Sequence, residues 1–323
     1  MKKQTIAKLT AAIITIVFFA ILLSQIEVRD AVGMIAGIKP VYLVAGFGLY
    51  ATSYFFRALR FKLLIRSKNM KFYDLFKIVS IHNMVNNLLP MRLGEFSYIY
   101  LIKKHKITLM EGIESLLISR VLDIISISLF FLISVYGLAD RIGISSQMIN
   151  LIVIVWFVVF ISSMLIQFNR KPILLVCSFL FKIIKKFKNS KLNKFGFSIM
   201  SEIQTISEKP FSNYIFGNSF ITSLILGINL YSLNYILINF GLNIHLSILE
   251  VVFISTFPVF SSLLPIQGLS GFGTTEGAWV LGFYLLGLPL NIAIITGFSM
   301  HIVTILYFTL LGGFTLFAQN RGI

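Results

Sequence analysis

The sequence contains few charged residues and almost no cysteine. Only 12% of its 323 residues are Asp, Glu, Lys or Arg, which is about half the share found in an average soluble domain. Cys177 is the single cysteine, so an internal disulfide and a thiolate metal site are both excluded. The four histidines are scattered without the spacing of metal ligands. Neither a metal nor another cofactor is therefore expected.

Motifs of several enzyme classes are also missing. The sequence has no Ser/His/Asp set, no Asp-x-Asp at an outer helix end and no phosphate-enzyme motif. The glycines from Gly268 to Gly273 are not followed by the lysine of a nucleotide-binding loop. An intramembrane transferase is therefore not the leading hypothesis. Product formation from purified protein and an activated donor would support it.

Apolar residues dominate the chain. They make up 57% of it, and the mean hydropathy is +0.90. The net charge of +16 comes from short basic clusters between apolar runs, a pattern that favours contact with anionic lipid over nucleic acid. The sequence thus predicts an all-α polytopic membrane protein whose partners are membrane lipids.

Several apolar stretches are long enough to cross a bilayer as helices, which takes about 20 residues. The first follows a charged start and lacks a small-residue cleavage site, so an uncleaved helix is expected there. Two further apolar regions, 75–102 and 246–288, are broken in the middle by Pro and Gly. The predicted crossings are residues 6–24, 41–59, 115–138, 148–168, 216–239 and 291–318.

The basic residues predict an orientation if residues 57–77 are cytoplasmic. Most of the 28 lysines and arginines then lie on the cytoplasmic side, Arg29, Lys39 and Arg141 lie outside, and Arg92 and Arg120 lie at membrane depth. This asymmetry predicts six full crossings, cytoplasmic termini and two broken hairpins that enter from opposite sides. The chain is expected to be a single membrane domain, 1–323, with a first half of about 1–140 containing hairpin 75–102, a cytoplasmic basic loop 169–213, and a second half of about 214–323 containing hairpin 246–288.

A short motif occurs in both broken regions. "NNLLPMRLGE" begins at residue 86 and "SSLLPIQGLSGFGTTEG" at residue 261, and each joins Leu-Leu-Pro to a later glycine and glutamate. Backbone groups left unpaired by a broken helix are tolerated in a membrane only where protein or water satisfies them. The two motifs therefore predict an inverted-topology repeat whose breaks meet near the midplane and form a substrate site. The residues expected to shape the breaks are Pro90, Gly94, Pro265, Gly268, Gly271 and Gly273.

Two Arg-acid pairs lie within or beside these apolar regions. Arg92 and Glu95 are three residues apart, as are Arg120 and Asp123, so each pair shares a helix face. Each ionised residue at mid-bilayer costs roughly 2.5 to 3.5 kcal/mol unless it is paired or hydrated. One interpretation is mutual pairing that holds helices together. The other is that Arg92 presents its planar fork to a lipid phosphate, Glu95 holds that fork, and the second pair forms another clamp or a gate.

Glu276 and two asparagines complete the candidate substrate site. Glu276 is three residues after a glycine, a spacing that fits a helix cap or an anion-binding end of a half-helix. Asn86 and Asn87 can line a polar cavity with His82 and His301, or they can form hydrogen bonds between helices.

These motifs resemble the flippase-like membrane family that includes the transmembrane region of bacterial lysylphosphatidylglycerol synthases. The similarity covers nearly the whole chain, although Gln267-Gly268-Leu269 stands where Pro-Gly-Gly is common. The resemblance implies a domain of the bacterial cytoplasmic membrane that moves or handles phospholipids or polyprenyl-linked lipids. Its most specific parts are Pro90-x-Arg92-x-Gly94-Glu95, Arg120-x-x-Asp123 and the glycine loop from Pro265 to Glu276.

The resemblance leaves the chemistry and the partners open. Fused members of the family add a cytosolic aminoacyl-transfer domain, and residues 1–323 hold none, so lysyl transfer to phosphatidylglycerol is not expected of them. The first hypothesis is lipid translocation. A third hypothesis is a membrane subunit of a lipid-modification or envelope-polysaccharide system, acting as a homodimer or with a partner enzyme.

Overall fold

The described part of the chain is helical and contains no strand. The expected first helix at 6–24, residue Pro265 and nearly all of the loop 169–213 lie outside it. The computed structural model describes residues 28–65, 70–92, 94–105, 107–168, 212–263 and 267–320.

In the first half, the residues at several helix ends explain why the helices begin and end there. Pro40 opens α2, where a missing N–H is tolerated and the fixed φ suits a helix. The Thr108 hydroxyl accepts from the Glu111 N–H at 3.2 Å and caps α5, and Gly143 ends that helix at φ 66°. The helices are α1 Val28–Ala36, α2 Pro40–Leu64, α3 Phe72–Leu88, α4 Glu95–Lys104, α5 Leu109–Ile142 and α6 Ser146–Phe168.

The second half repeats the order of a long helix, a broken hairpin and another long helix. The first of these ends in a π-helical turn, Ile236–Gly241, and the Asn239 side chain within this turn accepts from the Leu246 N–H beyond it at 2.8 Å. That bond ties the chain leaving the turn back to the helix. The helices are α7 Asn213–Tyr235, α8 Ile248–Leu263, α9 Thr274–Leu285 and α10 Leu290–Asn320.

Three helices are long and apolar enough to cross a membrane: Leu109–Ile142, Asn213–Gly241 and Leu290–Ala318. Large apolar side chains such as Val44 and Phe314 are more than two thirds exposed, as expected of a surface that faces lipid. The predicted crossings at 41–59 and 148–168 are helical as well. The total of six crossings and the opposite orientation of the hairpins stay predictions.

Each broken hairpin packs on the long helix of the other half. Helices α3 and α4 flank residues 89–94, which we call the first break, and α8 and α9 flank residues 264–273, the second break. Helix α3 packs on α10, and α8 packs on α5. The 3-10 turn of the first break, Pro90–Arg92, contacts that of the second, Leu269–Gly271. The two motifs found in the sequence therefore meet in the fold.

Two apolar cores surround the hairpins. One contains Leu75, Ile78 and Tyr98 of the first hairpin, and the other contains Trp279 and Phe283 of the second. Helix α10 contributes side chains to both cores. The two breaks thus lie between these two apolar cores, and the packing around them fixes the positions of their polar residues.

Candidate functional site

The first break follows from a proline and a close backbone approach. Leu89 precedes Pro90 and is extended, with ψ 141°, because the proline ring disfavours the helical conformation of the residue before it. Arg92 ends the 3-10 turn at φ 56°, a conformation rare for residues other than glycine. A Cβ at Gly94 would lie 2.2 Å from the Asn86 Cα, so only glycine allows α4 to start this close to α3.

The break brings four predicted residues together. The Arg92 guanidinium lies 3.6 Å from the Glu95 carboxylate, and Arg120 of α5 lies 3.4 Å from the same carboxylate. Arg120 is 4.0 Å from Asp123, one turn further along its own helix. Both pairs predicted from the i,i+3 spacing are present. Glu95 additionally joins the first hairpin to α5, which the spacing alone does not reveal.

Asp123 has a closer partner that the sequence analysis missed. Arg60 donates to both of its carboxylate oxygens, at 2.6 and 3.2 Å, and the Arg60 side chain is fully buried. It also donates to the hydroxyls of Ser119 and Ser223, each at 2.6 Å. The interaction ties together α2, α5 and α7.

The cytoplasmic position of residues 57–77 stays a prediction, although residues 57–64 are helical. Helix α2 continues to Leu64, because "FFRALRFKLL" is an uninterrupted helical sequence, and it carries Arg60 into the packed interior while Arg57 is half-buried. The sequence signal for this was the spacing of three residues between Arg57 and Arg60, in a segment with aromatic residues on both sides. It equals the spacing of the two pairs that the sequence analysis did identify.

Arg57 is a fourth arginine beside this network. It is half-buried, and its guanidinium lies 5.8 Å from the centre of the Tyr54 ring. It is close enough to Arg120 and Asp123 to interact with them electrostatically. We call Arg57, Arg60, Arg92 and Arg120, together with Glu95 and Asp123, the arginine cluster. Its formal charges are four positive and two negative, so the cluster is electropositive.

The predicted asparagines differ in their surroundings. Asn86 is buried, and its side-chain oxygen has no hydrogen-bond partner among the described residues. Asn87 donates to the backbone oxygen of Asn83 at 2.9 Å, and Asn83 donates to the Tyr50 hydroxyl at 3.3 Å. Asn86 is therefore available to a hydrogen-bond donor, whereas the Asn87 amide bonds to its own helix. His82, also buried, makes a hydrogen bond to the carbonyl oxygen of Gly94 at 3.2 Å.

The second break is built from left-handed residues. Ser270, Gly271 and Gly273 have φ values of 55°, 77° and 87°. Glycine adopts such values without steric penalty, so two of the four glycine and proline positions predicted for this break are required by the backbone. Gly268 is different, since its φ of −70° is open to other residues. Pro265 lies outside the described residues.

Glu276 is fully buried within the second break. One of its carboxylate oxygens accepts from the Gly273 N–H at 2.8 Å, and the other lies 2.7 Å from Nδ1 of His301. Nε2 of His301 is 3.0 Å from the Ser270 carbonyl oxygen. Both ring nitrogens of His301 thus face oxygen atoms. Both hydrogen bonds can form if a doubly protonated His301 donates to an ionised Glu276, or if a neutral His301 accepts from a protonated Glu276.

The head-group role expected of Glu276 stays a prediction. Its carboxyl group itself lies at the start of α9, and both of its oxygens make hydrogen bonds within the protein. The helix-cap interpretation describes this contact, and the buried histidine from α10 adds a second one. In this structure Glu276 shapes the second break, and the arginine cluster is the electropositive part of the site.

In the part of the chain that the structure describes, no group of three or more His, Cys, Asp or Glu side chains comes together. The chemistry of the site is thus that of guanidinium groups, amides and carboxylates.

Comparison with known proteins gives one family. The family described as the lysylphosphatidylglycerol synthase transmembrane region matches residues 6–312. No curated protein matches the chain.

Proposed function

We propose that this chain, which belongs to the lysylphosphatidylglycerol synthase transmembrane-region family, translocates an anionic lipid across the bacterial cytoplasmic membrane. The observation that carries the proposal is the arginine cluster. It has more arginines than carboxylates and lies where the two breaks of a membrane protein meet.

Charge complementarity supports a phosphate ligand. Arginine presents a planar set of donors that matches phosphate oxygens, and unpaired charge at membrane depth is unfavourable. Arg92 and Arg120 share one carboxylate, Glu95, at distances above 3.3 Å, so neither is held in a tight bidentate pair. A lipid phosphate that reaches this point would gain close contacts that the protein alone leaves unformed.

The packing of the hairpins suggests how access to the arginine cluster would change from one side of the membrane to the other. Each hairpin lies on the long helix of the opposite half, and the breaks touch through their 3-10 turns. In the proposed cycle the two halves exchange which side of the membrane reaches the cluster, as in transporters built from inverted repeats. The Glu276–His301 contact keeps the second break in shape during this exchange.

Lipid transport by reconstituted protein tests the proposal. Vesicles containing the full chain and fluorescent phosphatidylglycerol are treated with an impermeant quencher, which reports the lipid that has crossed. Arg92→Ala and Glu95→Gln should abolish crossing without loss of folded protein. Lys39→Gln removes an exposed charge at the start of α2 and should leave transport unchanged.

Two results would contradict this function. One is wild-type protein that moves no labelled lipid of any head group although it is folded. The other is a set of Arg92 and Glu95 variants that transport normally but fold poorly, which would give the cluster a purely structural role, as in a subunit of a larger lipid-modification system.

A further inference from the structure

The arginines of the cluster fall into two groups by their contacts. Arg60 makes four hydrogen bonds, to both oxygens of Asp123 and to two serines. Arg92 and Arg120 share Glu95. Both carboxylates are thereby used by these three arginines.

Arg57 has no such partner. Among the described residues no carboxylate lies within 4 Å of it, whereas each of the other three arginines has one. Its closest partner is the face of the Tyr54 ring, 5.8 Å from the guanidinium, and Asp123 attracts it only at longer range. Arg120 lies near enough to repel it. An anion placed between the two would relieve the repulsion and give Arg57 the close anionic partner that it lacks.

Tyr54 is fixed from the other side. Its hydroxyl lies 2.9 Å from that of Tyr50, which accepts a hydrogen bond from Asn83 of α3. The Tyr54 ring is buried and packs on the Tyr50 ring with centres 5.0 Å apart. Arg57 therefore rests on an aromatic ring that is itself held in place.

The size of the charge excess indicates what kind of phosphate fits. The cluster has two positive charges more than its own carboxylates neutralise. A phosphodiester carries a single negative charge and would leave one unbalanced. A terminal phosphate or a diphosphate carries close to two at neutral pH and above.

We infer that the site selects lipids with a doubly charged terminal phosphate or diphosphate over phosphodiester lipids, and that Arg57 is the residue that confers this preference. The inference rests on the proposed function, since it assigns the head-group class to the same cluster. Arg92 and Arg120 bind one negative charge of the head group, and Arg57 binds the other. Arg60 supports Asp123 without contacting lipid.

Lipid binding to the purified full chain tests the inference. Dioleoyl phosphatidic acid and dioleoyl phosphatidylglycerol share their acyl chains and differ in having a terminal phosphate or a phosphodiester. Each is titrated at pH 8 and bound lipid is counted by native mass spectrometry. Wild type should bind phosphatidic acid about tenfold more tightly, the effect of one additional charge contact.

The variants separate the roles of the arginines. Arg57→Gln should reduce the preference to about twofold or less, because phosphatidic acid binding weakens more than phosphatidylglycerol binding does, while Arg57→Lys keeps part of the preference because the charge remains. Lys39→Gln is the matched control, since it removes one positive charge about 27 Å along the same helix. Melting temperature checks that each variant is folded.

Each outcome has a distinct meaning. Equal binding of both lipids by wild type, or a preference that survives Arg57→Gln, would overturn the inference while leaving an Arg92-dependent lipid site intact. Loss of all Arg92 dependence would instead overturn the proposed function. Inorganic phosphate is the last probe: if it stabilises wild type but not Arg57→Gln while neither lipid binds, the phosphate site is real and its ligand is a soluble anion.

Discussion

Arg60 and Arg57 are three residues apart on one helix, yet their environments differ. Arg60 is fully buried and makes four hydrogen bonds to Asp123, Ser119 and Ser223. Arg57 is half-exposed and rests on a tyrosine ring. A buried ion pair adds little net stability relative to apolar residues, but removing one partner leaves an uncompensated charge. The same residue type is thus structural at one position and available to a ligand at the other.

Arg60→Gln is expected to destabilise the protein strongly. Breaking a buried pair costs about 3 to 5 kcal/mol in the free energy of unfolding, because Asp123, whose side chain is 14% exposed, would lose its closest cation and keep only Arg120 at 4.0 Å. Asp123→Asn should have a similar effect, and the double variant should lose much less than the sum of the two. Denaturation of the detergent-solubilised variants measures this. Additive losses would show that the two side chains do not interact.

Residues within one turn of each other could be paired from the sequence, and residues on different helices could not. The Arg92–Glu95 and Arg120–Asp123 pairs follow from a spacing of three. Arg60 and Asp123 are 63 positions apart. Predicting their contact requires knowing that α2 extends past residue 57 and which of its faces meets α5, and both depend on packing that no local pattern encodes.

At the scale of elements, the first break depends on a proline and a glycine with separate roles. Pro90 ends α3 by forcing Leu89 into an extended conformation. Gly94 lets α4 begin against the backbone of α3. The proline therefore sets where the helix stops, and the glycine sets how closely the returning helix approaches.

Gly94→Ala should prevent the first hairpin from closing. The new Cβ would lie 2.2 and 2.3 Å from the Cα and N atoms of Asn86, which are backbone atoms and cannot move aside without shifting α3. We expect a loss of about 3 kcal/mol or more, the upper end for overpacking, or no folded protein. Folded yield and melting temperature are the measurements.

Gly48→Ala is the matched control for this change. Gly48 lies within α2, and a Cβ there would meet nothing within 4 Å. Alanine in a helix interior is better than glycine by roughly 0.5 to 1 kcal/mol, so this variant should be as stable as wild type or slightly more so. Equal folded yield and melting temperature of the two variants would show that α4 does not approach the backbone of α3 closely at Gly94.

The second break shows a different limit of sequence reasoning. The spacing of Gly273 and Glu276 indicated a capping contact, and the structure contains one. The spacing gave no reason to place His301 of α10 on the other carboxylate oxygen, 25 residues further along. Local capping is readable from a few neighbouring residues, whereas the second partner depends on how α10 packs.

At the scale of the whole molecule, the halves interlock through their hairpins. Helix positions were predictable because long apolar runs in a membrane must be helical. The described helices α2, α5, α6, α7 and α10 fall on predicted runs. That α3 packs on α10 and α8 on α5 was not predictable, since apolar helix faces in a membrane protein resemble one another and small residues at the contact decide the pairing.

Gly312 is such a small residue, and its neighbour Gly313 provides the comparison. A Cβ at Gly312 would lie 2.4 Å from Cβ of Met84 on α3, whereas one at Gly313 would meet nothing within 4 Å. Gly312→Ala should therefore push the first hairpin away from the second half and lower the free energy of unfolding by about 1 to 3 kcal/mol, whereas Gly313→Ala should not.

Shortening Met84 tests whether that contact is the cause. Met84→Ala alone should destabilise the protein by about 2 to 5 kcal/mol because it leaves a cavity. Added to Gly312→Ala it should cost less, because it removes the Sδ and Cγ atoms that would lie 2.8 and 2.9 Å from the new methyl group, although the Cβ of residue 84, at 2.4 Å, remains. The double variant would then be more stable than the sum of the single changes predicts. Simple additivity, or equal effects of alanine at the two adjacent glycines, would show that α3 and α10 are not in contact at this point, and the proposed exchange of access between the halves would lose its structural basis.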